Sequence, residues 1–116
     1  MSDEWISVCN EGDLVVGSGV CVLLEANNKK EQVALFRETA DGPVFAISNY
    51  DPLGGAYVMS RGIIGSVGEL LVVASPLYKQ HFCLHTGLCV EDDTVRLPTW
   101  PVRIHAGQVQ LFAKHL

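Results

Sequence analysis

The chain has 116 residues, of which 48% are apolar and 18% are charged, and its formal net charge is -5. This length suits a single domain over residues 1–116, long enough to bury roughly two-thirds of its unfolded surface. The apolar fraction excludes disorder, and a negative charge without a Lys/Arg cluster argues against nucleic-acid binding. No apolar run approaches the ~20 residues of a membrane span. The acidic start lacks a signal-peptide pattern, so we expect a cytoplasmic protein with no membrane partner.

Short apolar runs separated by turn formers, without a helical period, predict an all-β fold. In chain order, the predicted strands lie near residues 5–8, 20–24, 32–37, 44–47, 70–74, 81–84, 102–104 and 108–112. Turn-forming residues at 26–29, 41–43 and 105–107 predict three hairpins. The unbroken apolar runs 20–24 and 70–74 predict strands that are covered on both faces, as in a sandwich or small barrel.

Residues 49–68 form a stretch rich in Gly, Ser, Asn and Pro with weak periodicity. A stretch of this length inside a compact domain is usually functional or has secondary structure of its own. We therefore expect the specialised part of the protein to lie here.

The cysteines stand at positions 9, 21, 83 and 89, and no two form a Cys-x-x-Cys pair. We expect free thiols packed in the core rather than disulfides. His81, Cys83 and His85 alternate along a predicted strand and, with Cys89, could form a zinc site. A partly exposed strand face is the favoured interpretation, because structural zinc sites usually take ligand pairs from turns.

Patterns typical of catalytic sites are incomplete in this chain. The run 64–68 resembles a nucleophile elbow, but Ile64 stands where the sharp turn needs glycine. Asp51 could act as a general base, yet no acid or nucleophile accompanies it at a suitable spacing. Gly17-Ser18-Gly19 lacks the third glycine of a dinucleotide fingerprint. We therefore predict no active site within this chain alone.

Several motifs occur in the order found in a known fold. The strand-like Phe45-Ala46-Ile47 leads to Asp51-Pro52-Leu53, and a second strand leads to Ser75-Pro76, followed by Phe-Cys-Leu-His-Thr-Gly at 82–87. This order resembles the Rieske ferredoxin fold, in which a hydrophobic strand leads to each of two loops that hold an iron-sulfur cluster. The resemblance implies two small antiparallel sheets that form a sandwich or incomplete barrel.

A Rieske centre binds its two irons through two Cys thiolates and two His imidazoles. At the corresponding positions this chain has Asp51, Leu53, Ser75 and Tyr78. Leucine has no lone pair to donate, and neutral hydroxyls are poor substitutes for thiolate and imidazole on iron. On this resemblance the four positions are vestigial, and we expect no metal or other cofactor in this chain. A Rieske-type ferredoxin that carries electrons, and a small zinc-binding or interaction module, remain the alternatives.

The strings 46–52, 60–62, 74–77 and 87–92 resemble, more narrowly, the small subunit of cytoplasmic NAD(P)H-dependent assimilatory nitrite reductase. That family is Rieske-like and lacks cluster ligands. The resemblance implies a non-catalytic companion of a large subunit that carries FAD, an iron-sulfur cluster and sirohaem. The large subunit reduces nitrite to ammonia with electrons from NAD(P)H.

In a Rieske fold the two loops converge at one tip. Here the tip would present aromatic and apolar side chains, which are enriched in protein contact surfaces. We hypothesise that the tip docks on the large subunit. A second interpretation, which is compatible with the first, is that Leu53 and Tyr78 fill the volume left by the cluster. The predicted contact residues are Tyr50, Tyr57, Met59, Arg61, Leu77, Tyr78 and Lys79, with Trp100 as a second, separate anchor.

Overall fold

The computed structural model describes residues 4–26 and 28–113, and it confirms the predicted all-β class. Short 3-10 turns occur at Glu11–Asp13 and Met59–Arg61. The strands are β1 (Glu4–Asn10), β2 (Gly19–Ala26), β3 (Lys29–Arg37), β4 (Val44–Ser48), β5 (Tyr50–Asp51), β6 (Ala56–Tyr57), β7 (Ile63–Val67), β8 (Leu70–Ala74), β9 (His81–Cys83), β10 (Thr99–Trp100), β11 (Val102–His105) and β12 (Gln108–Ala113). Across the described part of the chain, no helix is long and apolar enough to cross a bilayer.

The strands form four antiparallel sheets, where two were predicted. We call β1-β12-β11 the terminal sheet, β10-β4-β3-β2 the central sheet, β7-β8-β9 the flanking sheet and β5-β6 the tip hairpin. The three predicted hairpins are present, joining β2 to β3, β3 to β4 and β11 to β12. Residue 27, in the first of these turns, lies outside the described residues.

The central sheet has a hydrophobic core on each face. Along β3, Val33 and Leu35 pack against the terminal sheet, whereas Ala34 and Phe36 pack in the core shared with the flanking sheet. Successive side chains of a strand point to opposite faces. The burial of all four in succession therefore means that both faces of β3 are covered, which makes it the middle of a three-layer structure.

The prediction that β2 is covered on both faces is wrong. Val22 and Leu24 are buried against the terminal sheet, but Cys21 and Leu23 are exposed. β2 is the edge strand of the central sheet, and an apolar run looks the same in sequence whether its strand lies at an edge or in the middle.

The prediction that all four cysteines are free thiols packed in the core is only partly right. Cys83 and Cys89 are buried, Cys9 is half-buried and Cys21 is exposed, and all four are free. In β8 the expectation of two covered faces is met at the centre, where Val72 and Val73 are both buried.

Candidate functional site

The stretch 49–68 has secondary structure of its own, and it begins with the tip hairpin. In this hairpin Tyr50 pairs with Tyr57 and Asp51 pairs with Ala56. The two tyrosine rings pack together with their centroids 4.9 Å apart. Gly55 turns the chain at a φ of 70°, a left-handed conformation that glycine adopts without strain.

Asn49, which the sequence analysis did not single out, fixes the base of this hairpin. Its buried side chain accepts a hydrogen bond from the Ser60 amide at 2.7 Å and donates one to Gln32 Oε1 at 3.0 Å. Its backbone N–H donates to the Gln32 carbonyl, and its carbonyl accepts from the Met59 amide. Asn49 thus ties the hairpin to β3 and to the 3-10 turn. The sequence feature that could have identified Asn49 is a polar residue that follows an apolar strand.

The second loop, residues 75–80, returns on itself and packs against the hairpin. The Ser75 amide donates to the Gln80 carbonyl at 2.9 Å, and the Lys79 amide donates to the Ser75 carbonyl at 3.1 Å. A Cβ atom at Gly54 would lie only 2.4 Å from Cδ1 of Leu77. The two loops therefore touch here, and a larger residue at position 54 would require the Leu77 side chain to move.

A buried hydrogen bond joins the two loops directly. The Ser75 hydroxyl donates to Asp51 Oδ2 at 2.5 Å, and the two residues are 1% and 0% exposed. Asp51 Oδ1 accepts from the amides of Leu53 and Gly54, at 2.9 and 3.1 Å. Ser75 Oγ in turn accepts from the Leu77 amide at 3.2 Å. We call the Asp51–Ser75 hydrogen bond the clasp.

The clasp corrects one interpretation of the sequence. Leu53 and Tyr78 do not fill the space between the loops, because they are 38% and 64% exposed. The buried positions belong to Asp51 and Ser75. Two polar side chains can be buried here because each finds hydrogen-bond partners in the loops.

Six of the eight predicted contact residues lie in or beside the two loops with exposed side chains. Together with Leu53 they form what we call the tip surface: Tyr50, Leu53, Tyr57, Arg61, Leu77, Tyr78 and Lys79. Its only charges are those of the cations Arg61 and Lys79. Among the described residues neither cation takes part in an ion pair. Asp51 is the one acid in residues 50–62 and 75–80, and it is buried.

Met59 and Trp100 do not belong to this surface. Met59 is fully buried and packs in the core with Phe36, so its inclusion as a contact residue is wrong. A methionine in a polar loop looks exposed in sequence, yet here the 3-10 turn directs it inward. Trp100 is half-buried on β10, where it pairs with Ala46 and packs against the core of the terminal sheet.

The side chains proposed for a zinc site are engaged elsewhere. His81 Nδ1 lies 2.6 Å from Glu91 Oε2, and the His85 ring packs edge-on against Phe45. Burial raises the pKa of the Cys83 thiol, but hydrogen bonds from the Thr86 side chain and from nearby backbone amides outweigh it, and the net pKa is lowered. No three His, Cys, Asp or Glu side chains within 4–26 and 28–113 are grouped for metal binding.

The four positions predicted to be vestigial carry residues that do not fit an iron-sulfur cluster. Asp51 and Ser75 direct their oxygens at each other, and Leu53 offers no donor atom. Tyr78 is left as an exposed phenol. A cluster bridging these loops would need thiolate and imidazole ligands at all four places.

Comparison with known proteins agrees with this fold. The family model described as a Rieske-like [2Fe-2S] domain matches residues 4–112. The ferredoxin of carbazole 1,9a-dioxygenase from Nocardioides aromaticivorans IC177 superposes with a TM-score of 0.75 over 95% of this chain and 98% of its own. At 19% identity this likeness shows the fold alone.

A much nearer relative is the nitrite reductase (NADH) small subunit of Salmonella typhimurium, 44% identical over 93% of this chain and 96% of its own length. This chain belongs to the nitrite reductase small-subunit family. A solved member, the nitrite reductase [NAD(P)H] small subunit from Erwinia carotovora, is 41% identical and has a TM-score of 0.80, covering 97% of this chain and 83% of that one.

The small-subunit family also has a counterpart within a larger protein. The nitrite reductase [NAD(P)H] large subunit of Klebsiella oxytoca matches 93% of this chain at 32% identity, and the match spans 11% of that large subunit. A region like this chain is therefore covalently part of a large subunit in that organism.

Proposed function

We propose that this chain is the non-catalytic small subunit of a cytoplasmic NAD(P)H-dependent nitrite reductase and that it binds the large catalytic subunit. The observation that carries the proposal is the 44% identity to named small subunits over 96% of their length. The matching region inside the Klebsiella large subunit supports the choice of partner, because domains fused in one organism commonly associate as separate chains in another.

On this proposal the chain holds no redox centre. FAD, the iron-sulfur cluster and the sirohaem that reduces nitrite to ammonia belong to the large subunit. The support is chemical, since the positions that on the Rieske resemblance correspond to iron ligands carry Asp51, Leu53, Ser75 and Tyr78. The ferredoxin alternative would require a ligand set that these residues do not offer.

We further propose that the tip surface is the docking site. Tyrosine side chains bury large areas at interfaces, and several exposed tyrosines on two adjoining loops are typical of a contact surface. Two cations that form no ion pair among the described residues, on a protein of net charge -5, favour a partner surface that is acidic at the matching place.

The first experiment is coexpression with the large subunit of the same organism. We expect the two chains to copurify and nitrite-dependent oxidation of NAD(P)H to be higher with the small subunit than without it. A large subunit that never copurifies with this chain and is fully active alone would overturn the proposed function.

The docking site is tested by charge reversal with a matched control. Arg61→Glu combined with Lys79→Glu should weaken copurification, and adding Tyr78→Ala should weaken it further. The control is Lys29→Glu with Lys30→Glu, which changes the charge equally at the exposed start of β3 and breaks the exposed Lys30–Glu25 ion pair there. Equal effects of the two pairs would remove the tip surface from the interface.

Iron content separates the proposed subunit from the ferredoxin alternative. We expect the small subunit, purified by itself, to be colourless and to contain no stoichiometric iron. Visible absorbance with two irons per chain would contradict the proposal.

A further inference from the structure

We propose that the Asp51–Ser75 clasp replaces a metal bridge as the device that joins the two loops into one rigid unit. In a Rieske domain the cluster is held from both loops at once. Here the same two loops are joined by a hydrogen bond between two former ligand positions. The clasp itself does not depend on the proposed function, which enters only in naming the large subunit as the protein that meets the tip surface.

The clasp connects parts of the chain that no ladder of backbone hydrogen bonds joins. Asp51 ends β5 of the tip hairpin, and Ser75 follows β8 of the flanking sheet, 24 residues later. The tip hairpin and the flanking sheet are separate sheets. A bond at this place therefore limits how far the hairpin can move relative to the second loop.

Burial makes the clasp strong. A carboxylate taken out of water is costly unless hydrogen bonds compensate it, and Asp51 accepts from Ser75, Leu53 and Gly54. Removing the Ser75 hydroxyl would leave Oδ2 buried without its donor, which costs more than the bond itself contributes.

The same atoms also hold the backbone of the tip surface. Asp51 Oδ1 binds the amide of Leu53, and Ser75 Oγ binds the amide of Leu77, so both exposed leucines are attached directly to clasp residues. Contact between Leu77 and Gly54 closes the remaining gap. A surface held in its binding geometry before association loses less entropy when it docks.

The decisive test asks whether each clasp residue controls the opposite loop. Amide hydrogen exchange is measured by NMR on the isolated small subunit for Ser75→Ala and for Asp51→Ala. We expect Ser75→Ala to speed exchange at Leu53 and Gly54 by roughly 5- to 150-fold, the range expected for one unsatisfied buried group. Asp51→Ala should do the same at Leu77.

Ser48→Ala is the matched control. Ser48 is also buried in the same region, but its hydroxyl accepts only from the nearby Tyr50 amide, at 3.2 Å. We expect its effect to stay at Tyr50. If Ser75→Ala changes exchange only within residues 75–80, the clasp does not couple the loops and the inference is overturned. Because this result needs only Ser75→Ala, it stands even if Asp51→Ala fails to fold.

A second measurement separates the clasp from the proposed function. The affinity of wild type and Ser75→Ala for the large subunit is compared in the assembled enzyme. A loss of affinity alongside faster exchange supports both the clasp and docking through the tip surface. Faster exchange with unchanged affinity supports the clasp and overturns docking through the tip.

Discussion

Glu91 accepts two hydrogen bonds from His81, one from the backbone amide at 2.8 Å and one at ring Nδ1 at 2.6 Å. The Val90 amide donates back to the His81 carbonyl at 2.8 Å. Burial raises the pKa of Glu91, but the hydrogen bonds from His81 outweigh it and the net pKa is lowered. The pair attaches the segment around residue 90 to β9.

Glu91→Gln should therefore lower stability in a pH-dependent way. A carboxyl whose pKa is lower in the folded state stabilises the fold above its unfolded pKa, and the stabilisation is lost as pH falls through the folded pKa. The Glu91 side chain is 47% exposed, so we expect at most about 1 kcal/mol. Urea unfolding of both proteins should show this difference at about pH 6 and none at about pH 2.

The control for this prediction is Glu38→Gln, an exposed glutamate for which no hydrogen bond or ion pair is found among the described residues. It should leave the unfolding free energy close to that of wild type. If the unfolding free energies of wild type and Glu91→Gln differ by the same amount at about pH 2 as at about pH 6, the pKa argument is contradicted.

Met59→Ala should destabilise the fold by about 2–5 kcal/mol, the usual cost of truncating a buried large side chain. Met59 is fully buried in the core between the central and flanking sheets. Tyr57→Ala, only two residues away but 58% exposed, should cost far less stability and act instead on binding to the large subunit. Denaturant unfolding of the two variants distinguishes core from surface, and equal losses would refute the assignment of Met59 to the core.

Gly54→Ala should displace the Leu77 side chain, because its methyl group would lie 2.4 Å from Leu77 Cδ1 and 3.1 Å from Asp51 Oδ2. Overpacking typically costs about 1–3 kcal/mol, and we expect the lower end here because the exposed end of Leu77 can move aside. Gly65→Ala in β7 is the matched control, since nothing lies within 4 Å of its added Cβ. We expect thermal unfolding to show a loss for Gly54→Ala and no loss for Gly65→Ala, and the reverse order would rule out close packing at Gly54.

Cys21 should be the first thiol to react with a maleimide in the native protein. It is exposed, whereas Cys83 is buried even though hydrogen bonding lowers its pKa. A reagent must reach the sulfur before ionisation matters, so accessibility decides the order. Partial burial raises the pKa of Cys21, and its labelling should therefore quicken as pH rises through the alkaline range. Peptide mass spectrometry locates the label, and initial labelling at Cys83 would contradict this order.

Hydrophobic pattern was sufficient to predict the long strands and their hairpins. All eight predicted strands are present. They were predictable because each buries at least one face, and this burial gives a recognisable pattern of apolar residues in the sequence. Strands β5, β6 and β10 have two residues each, too short for any period to show. Strand β7 was not predicted because Gly65 and Ser66 interrupt its apolar residues.

Exposure of individual side chains was much less predictable. Leu23 on an edge strand is exposed within an apolar run, whereas Met59 in a polar loop is fully buried. Both depend on which other sheet covers the position. That information comes from contacts between distant segments, which a local pattern does not contain.

By itself, the sequence determined the all-β class and the family resemblance, because these depend on which residues stand in which order. Only the tertiary structure decided what Asp51 and Ser75 do. The partner of a buried polar group is set by which segments meet in the folded chain, and these two meet across 24 residues and two separate sheets. The same folding left Leu53 and Tyr78 facing outward, where they are available to another protein.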